Sequence, residues 1–126
     1  MNAFTDQDRE VIYRVLALLP TIEQALQHMQ VQLEELRLEE SAALFKDTAE
    51  AIGSIANCVL PLINQATQSH LLKAIVDIRH SMAEIIDAYE HNDLSSIQMA
   101  LTHRLIPAVT SWQQALAQII IPTALS

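Results

Sequence analysis

Glycine occurs once in the 126 residues, at Gly53. Average usage is roughly 7%. Sheets need tight turns, and tight turns need glycine or asparagine at positive φ. A β-sandwich or barrel is therefore excluded, as is a glycine-rich phosphate loop, because there is no second glycine to build one. Basic residues are also scarce. Seven Lys and Arg stand against fifteen Asp and Glu, a formal charge of −8, the wrong sign for a nucleic-acid groove binder. Aromatic residues make up only 4% of the chain. The one cysteine, Cys58, has no partner for an internal disulfide. Its neighbours Ile55, Ala56, Val59 and Leu60 make it read as a small buried hydrophobe rather than a nucleophile. Uninterrupted apolar runs reach about five residues, against the ~20 of a membrane span. The first residues, Met1 to Asp6, carry neither a basic n-region nor an apolar h-region, so no signal peptide is expected. The expectation is a cytoplasmic protein that does not enter the membrane.

What the chain has in quantity is apolar side chains, 51% of its residues. At this length roughly two-thirds of the unfolded surface is buried on folding, enough for one domain spanning 1–126 without metal or disulfide.

The apolar residues recur with helical spacing. Ile12, Val15, Leu16, Leu19, Ile22, Leu26, Met29, Leu33 and Leu36 step by three and four along one face. Thr5 is placed to cap that helix, with Asp6, Asp8 and Glu10 suiting its N-terminus. Pro20 lies inside the stripe without shifting its phase, which predicts a first helix kinked or split there. A turn is expected near Leu38 to Ser41, with Ser41 capping a second helix whose face reads Leu44, Thr48, Ala51, Ile52, Ile55 and Val59. Gly53 and Ser54 inside it suggest close helix packing, and Pro61 and Asn64 mark its end. From about Thr67 to Glu90 the seam Leu71, Ile75, Ile78, Met82, Ile85, Tyr89 is heptad-like. His91, Asn92 and Asp93 form a turn, with Asp93 a strong N-cap. The last helix aligns Leu94, Ile97, Leu101, Leu105, Ala108, Trp112, Leu116 and Ile119. Pro107 removes the bond to the His103 carbonyl and should bend it. The apolar tail, 120–126, is expected to break at Pro122. No period-two alternation or solenoid repeat occurs. The reading is all-α: an antiparallel up-and-down four-helix bundle joined by short connections.

Five histidines and fifteen carboxylates raise the question of a metal. Asp77, His80, Glu84, Asp87 and His91 share one helix face by their spacing. That face is about 150° from the Ile75/Ile78/Met82/Ile85 seam, so it reads as solvated. The Glu-x-x-His element of carboxylate-bridged bundles does not occur, Asp77-x-x-His80 being the nearest match. His28, His70 and His103 form no further ligand set. No Ser or Cys sits in an activating motif. Neither a cofactor nor an enzymatic activity is expected. Met29 and Met82 fall on core faces. Trp112 fits the apolar stripe of the last helix, with an interface anchor as the alternative.

One stretch carries a family likeness. Asp87, Ala88, Tyr89, Glu90, His91, Asn92, Asp93 and Leu94 are followed by Leu101, then Leu105, Ile106, Pro107, Ala108 and Trp112. This order, with the acidic lead-in Glu39, Glu40 and Ser41, resembles an uncharacterised family of small helical-bundle proteins of Firmicutes whose last helix carries Leu-Leu-Pro and then Trp. The resemblance covers roughly residues 20–118. Asn92 stands where that family more often has glycine. The stretch from Asn92 to Leu116 is also similar to the final helix of flagellin export chaperones, acidic four-helix bundles that cradle the helical termini of flagellin. Their tyrosine-containing N-terminal arm is not matched, Tyr13 being the only tyrosine there. The family likenesses imply no enzymatic activity.

Three functional expectations follow. The first is a protein-interaction module, a chaperone or adaptor for a helical partner such as a flagellar or secreted protein. Its groove would be opened by Pro20 and Pro107 and lined by Leu105, Pro107, Trp112, Ile120, Ile121 and Leu125. The second is a self-associating bundle, a homodimer burying spare apolar residues such as Leu72, Val76, Ala83 and Ile86. The third is a metal- or small-ligand-binding bundle using His80, Glu84 and His91.

Overall fold

The computed structural model describes residues 6–62 and 65–125. Among them there is no strand, and four helical runs make up an all-α four-helix bundle. Helix α1 spans Asp6–Glu34 and α2 spans Leu38–Val59, closed by a 3₁₀ turn, Leu60–Leu62. Helix α3 spans Gln65–Glu90. The fourth run comprises α4 (Leu94–Ala100), a π-helical turn (Leu101–Leu105) and α5 (Ile106–Leu125).

Helix α1 is one helix through Pro20, whose missing N–H leaves the Leu16 carbonyl without its intrahelical bond. Its buried face is the one the spacing dictates: Ile12, Val15, Leu19, Ile22, Leu26, Met29 and Leu33. Thr5 lies outside the described residues. The two short connections share one device. Leu36 (φ 62°) and Asn92 (φ 51°) each adopt the left-handed conformation just past a helix end. The amide of Leu36 bonds to the Leu33 carbonyl and that of Arg37 to Gln32, at 3.0 and 2.8 Å. Asn92 bonds to Tyr89 and Asp93 to Ala88, both at 3.0 Å, in the same pattern. Each pair satisfies carbonyls the helix end would orphan. Asparagine tolerates this conformation, whereas leucine pays a steric penalty of about 1–2 kcal/mol. Asp93 caps α4 as its residue type predicts, accepting the Ser96 amide at 3.2 Å and the Ser96 hydroxyl at 2.7 Å.

Four local expectations are corrected. Ser41 does not cap α2. Arg37 holds the cap position without a side-chain bond, and Ser41 lies buried inside the first turn, its hydroxyl donating to the Leu38 carbonyl at 2.9 Å. Cys58 is exposed, because each step along a helix turns about 100° and Ile55, Ala56 and Val59 occupy the inward sector. Gly53 is not a site of close packing, since a Cβ built there meets nothing within 4 Å. The last helix continues through Pro122 to Leu125.

The fourth run holds the least expected feature. The Ile106 amide bonds to the Leu101 carbonyl, five residues back. Pro107 has no N–H for His103, so the usual ladder cannot pass this point, and the widened turn sits directly before the proline. Among its described residues the large buried side chains are Ile97, Leu101, Leu105 and Val109, then Trp112 and Leu116, with the small Ala100 buried beside them. Three successive steps of four would drift by about 120° on an α-helix, and the wider turn takes up the drift. Val109, not Ala108, is the buried residue after Leu105.

Helix α1 packs closely on α2 and on α5, and α3 packs on α4 and α5. Among the described residues α2 touches α3 only lightly. That seam is pinned at one end, where the Phe45 and Tyr89 rings lie 6.2 Å apart and the Ser41 and Tyr89 hydroxyls are 2.7 Å apart. The Ser41 proton is engaged by Leu38, so Tyr89 donates. Burial of the phenol raises its pKa above the usual value, partly offset by the Ser41 contact.

Candidate functional site

The residues expected to bind a partner divide three ways. Leu105 and Trp112 are each 1% exposed and belong to the core. Something docking on the folded surface cannot touch them, and their apolar character is used up in holding α5 to the bundle. Pro107 is exposed. The side chains of Ile120, Ile121 and Leu125 lie outside the described residues.

A groove runs between α1 and the fourth run, and neither Pro20 nor Pro107 lines it. Pro20 and Pro107 are both exposed. The groove holds about 210 Å³, over a floor that includes Leu26, Ile106 and Val109. Its rim is amide and hydroxyl. Gln113 Nε2 donates to the Leu19 carbonyl at 2.8 Å, and Gln30 Nε2 to Thr102 Oγ1 at 3.1 Å. Both bonds cross from one helix to the other, so they clamp this seam. The groove is small and bridged, which suits helix–helix adhesion better than reception of a guest helix.

A second cleft, about 420 Å³, lies at the corner of α3 and α4, between Glu84, Asp87, His91, Asp93, Met99 and Arg104. Arg104 Nε pairs with Glu84 Oε2 at 3.0 Å. His91 Nδ1 lies 2.8 Å from the Asp87 carbonyl and 3.6 Å from its carboxylate. The carbonyl contact first, and then the Asp87 charge, raise the His91 pKa. The Ser96 hydroxyl and amide hold the Asp93 carboxyl below its ordinary value. These are helix-end contacts between exposed groups, and they leave His91 and Glu84 already partnered. Among the described residues no three His, Cys, Asp or Glu side chains converge as metal ligands would. No helix among them is long and apolar enough to cross a membrane.

Among the described residues α3 carries a row of exposed apolar side chains. Leu72, Val76 and Ile86 are 46%, 46% and 49% exposed, and Ala83 is exposed as well. With Arg79 and Glu90 they step 4, 3, 4, 3, 4 from residue 72 to residue 90. This is a second heptad seam, one residue out of register with the buried seam Leu71, Ile75, Ile78, Met82, Ile85 and Tyr89. It spans about 27 Å of helix at 1.5 Å per residue. The sequence already shows its four apolar members. It does not show that the fold leaves them open.

Fold and surface together define a small acidic helical bundle with one helix apolar on two faces. Residues 10–115 match the model of a family described as a domain of unknown function (DUF8042), and the chain belongs to that family. No curated protein and no solved structure matches it.

Proposed function

We propose that this protein is a non-enzymatic protein-interaction module of the cytoplasm, a chaperone or adaptor that receives an amphipathic helix along α3. The observation that carries the reading is the open seam Leu72, Val76, Ala83, Ile86. The aliphatic side chains recur at steps of four, seven and three, with Arg79 at the intervening seam position, on a face that a purely solvated helix has no reason to make apolar. A helix-in-groove contact requires that pattern. The acidic surface around it supports selectivity for partners with basic flanks.

The test compares the protein with its Val76→Glu variant as bait in extract of its own source cells, with mass spectrometry of what is retained. A partner held by the native chain and lost with Val76→Glu is the expected result. Retention that is equal for both baits removes α3 as the docking face.

A further inference from the structure

The exposed seam of α3 also indicates what lies on it. We propose that the occupant is α3 of a second copy of this chain, running antiparallel. This rests on the reading of α3 as a helix-docking face. The argument is charge order along the seam. The N-terminal half exposes Lys73, Arg79 and His80 with one carboxylate, Asp77; the C-terminal half exposes Glu84, Asp87 and Glu90 with no Lys or Arg of its own, Glu84 being paired with Arg104 and Asp87 lying 3.6 Å from His91, which leaves Asp87 and Glu90 without a Lys or Arg partner among the described residues. Two of the seven basic residues of a chain of charge −8 therefore lie on one half of one helix face. Neither Lys73 nor Arg79 has an ion-pair partner among the described residues.

A parallel pairing would put Lys73 and Asp87 of the two copies on opposite sides of the dimer, where they cannot pair with each other. An antiparallel pairing about the seam's midpoint sets basic half against acidic half, twice over by symmetry. It brings Val76 level with Ile86 of the other copy. It sets the long Arg79 side chain over the small Ala83, and brings Lys73 within reach of Asp87. Large thus meets large at the inner layers, long meets small at the centre, and base meets acid on the flank, while the end layers set Leu72 level with Glu90 of the other copy, whose carboxylate reaches solvent at the helix end. A partner of different sequence would need that same order in reverse, and this chain already supplies it.

Sedimentation velocity and light scattering on the full chain, from 1 to 500 μM at low and high salt, provide the test. The native protein should sediment as a dimer, weakened by salt. Val76→Glu should sediment as a monomer of unchanged helicity by circular dichroism. Lys73→Glu should raise the dissociation constant about tenfold, two repelling contacts replacing two attracting ones. Lys73→Glu combined with Asp87→Lys should restore it. A native chain that stays monomeric throughout overturns the proposal, as does a dimer indifferent to Val76→Glu. If the chain is monomeric yet its extract partner is lost with Val76→Glu, α3 docks a different helix and only the second copy is refuted. If no extract partner depends on Val76 either, the docking reading falls with it.

Discussion

The single glycine occupies a position where alanine would serve better, while a leucine occupies one that favours glycine. Gly53 lies in the middle of α2, exposed, at negative φ, with open space where its Cβ would be. Replacing it with alanine removes the entropic penalty of glycine in a helix interior, about 0.5–1 kcal/mol, and adds no clash. Leu36 is held at φ 62° and is 70% exposed. Leu36→Gly releases about 1 kcal/mol of steric strain and loses little burial, though glycine returns part of that gain to the unfolded chain. The two sites are separated by most of the length of α2, so their effects should add. The double variant, still with one glycine, should be about 1–2 kcal/mol more stable and melt roughly 4–8 °C higher. Urea unfolding followed by circular dichroism would read this as a higher midpoint at unchanged slope. A Gly53→Ala protein less stable than the native one would refute the reasoning. It would mean that something the monomer does not contain packs against that face.

Three further outcomes follow from the packing. Trp112→Ala empties the largest fully buried side chain and should cost about 3–5 kcal/mol, enough to lose or severely broaden the thermal transition. Tyr89→Phe leaves the buried Ser41 hydroxyl without its donor and should cost about 1 kcal/mol in urea unfolding, with the helical signal unchanged. Asp93→Ala should lower the melting temperature at neutral pH. The Asp93 pKa is depressed in the folded state, so its contribution is present above the ordinary carboxylate range and is lost as pH falls through the folded value. Melting curves of native and Asp93→Ala proteins should therefore separate at pH 7 and converge under strong acid; a gap independent of pH would rule out the cap's charge as its source.

How much of this was legible depended on whether the information was local. The inward faces of α1 and α3 were legible because stepping by three and four is a one-dimensional signal, and the Asp93 cap because its chemistry is complete within four residues. Ser41 misled for the opposite reason. Its residue type suits a cap, and only the arrival of Tyr89 from another helix shows why a hydroxyl is wanted inside the turn. Cys58 and Gly53 were misplaced because apolar or small neighbours in sequence say nothing of the sector each side chain occupies. The docking residues were sought on the fourth run, where apolar side chains are densest. Trp112 and Leu105 themselves serve the core. Among the described residues, part of the apolar excess that remains is on α3. Which of the two seams of α3 is buried is decided by its packing on α4 and α5, which no residue pattern reports. The π-helical turn had left a trace, the unbroken run of fours through Ile97, Leu101, Leu105 and Val109, next to a proline.

That turn also determines what length change the fourth run can absorb. Remove one residue between Leu101 and Leu105, and the inward positions would fall at 97, 101, 104, 108, 111 and 115, the 4-3-4-3-4 beat of an ordinary heptad helix. The extra residue is thus a spacer, inserted without disturbing which side chains face inward. The same deletion in α3 has no such slack to take up. It would turn everything beyond it by about 100°, bringing one of its two apolar seams to where the other had been.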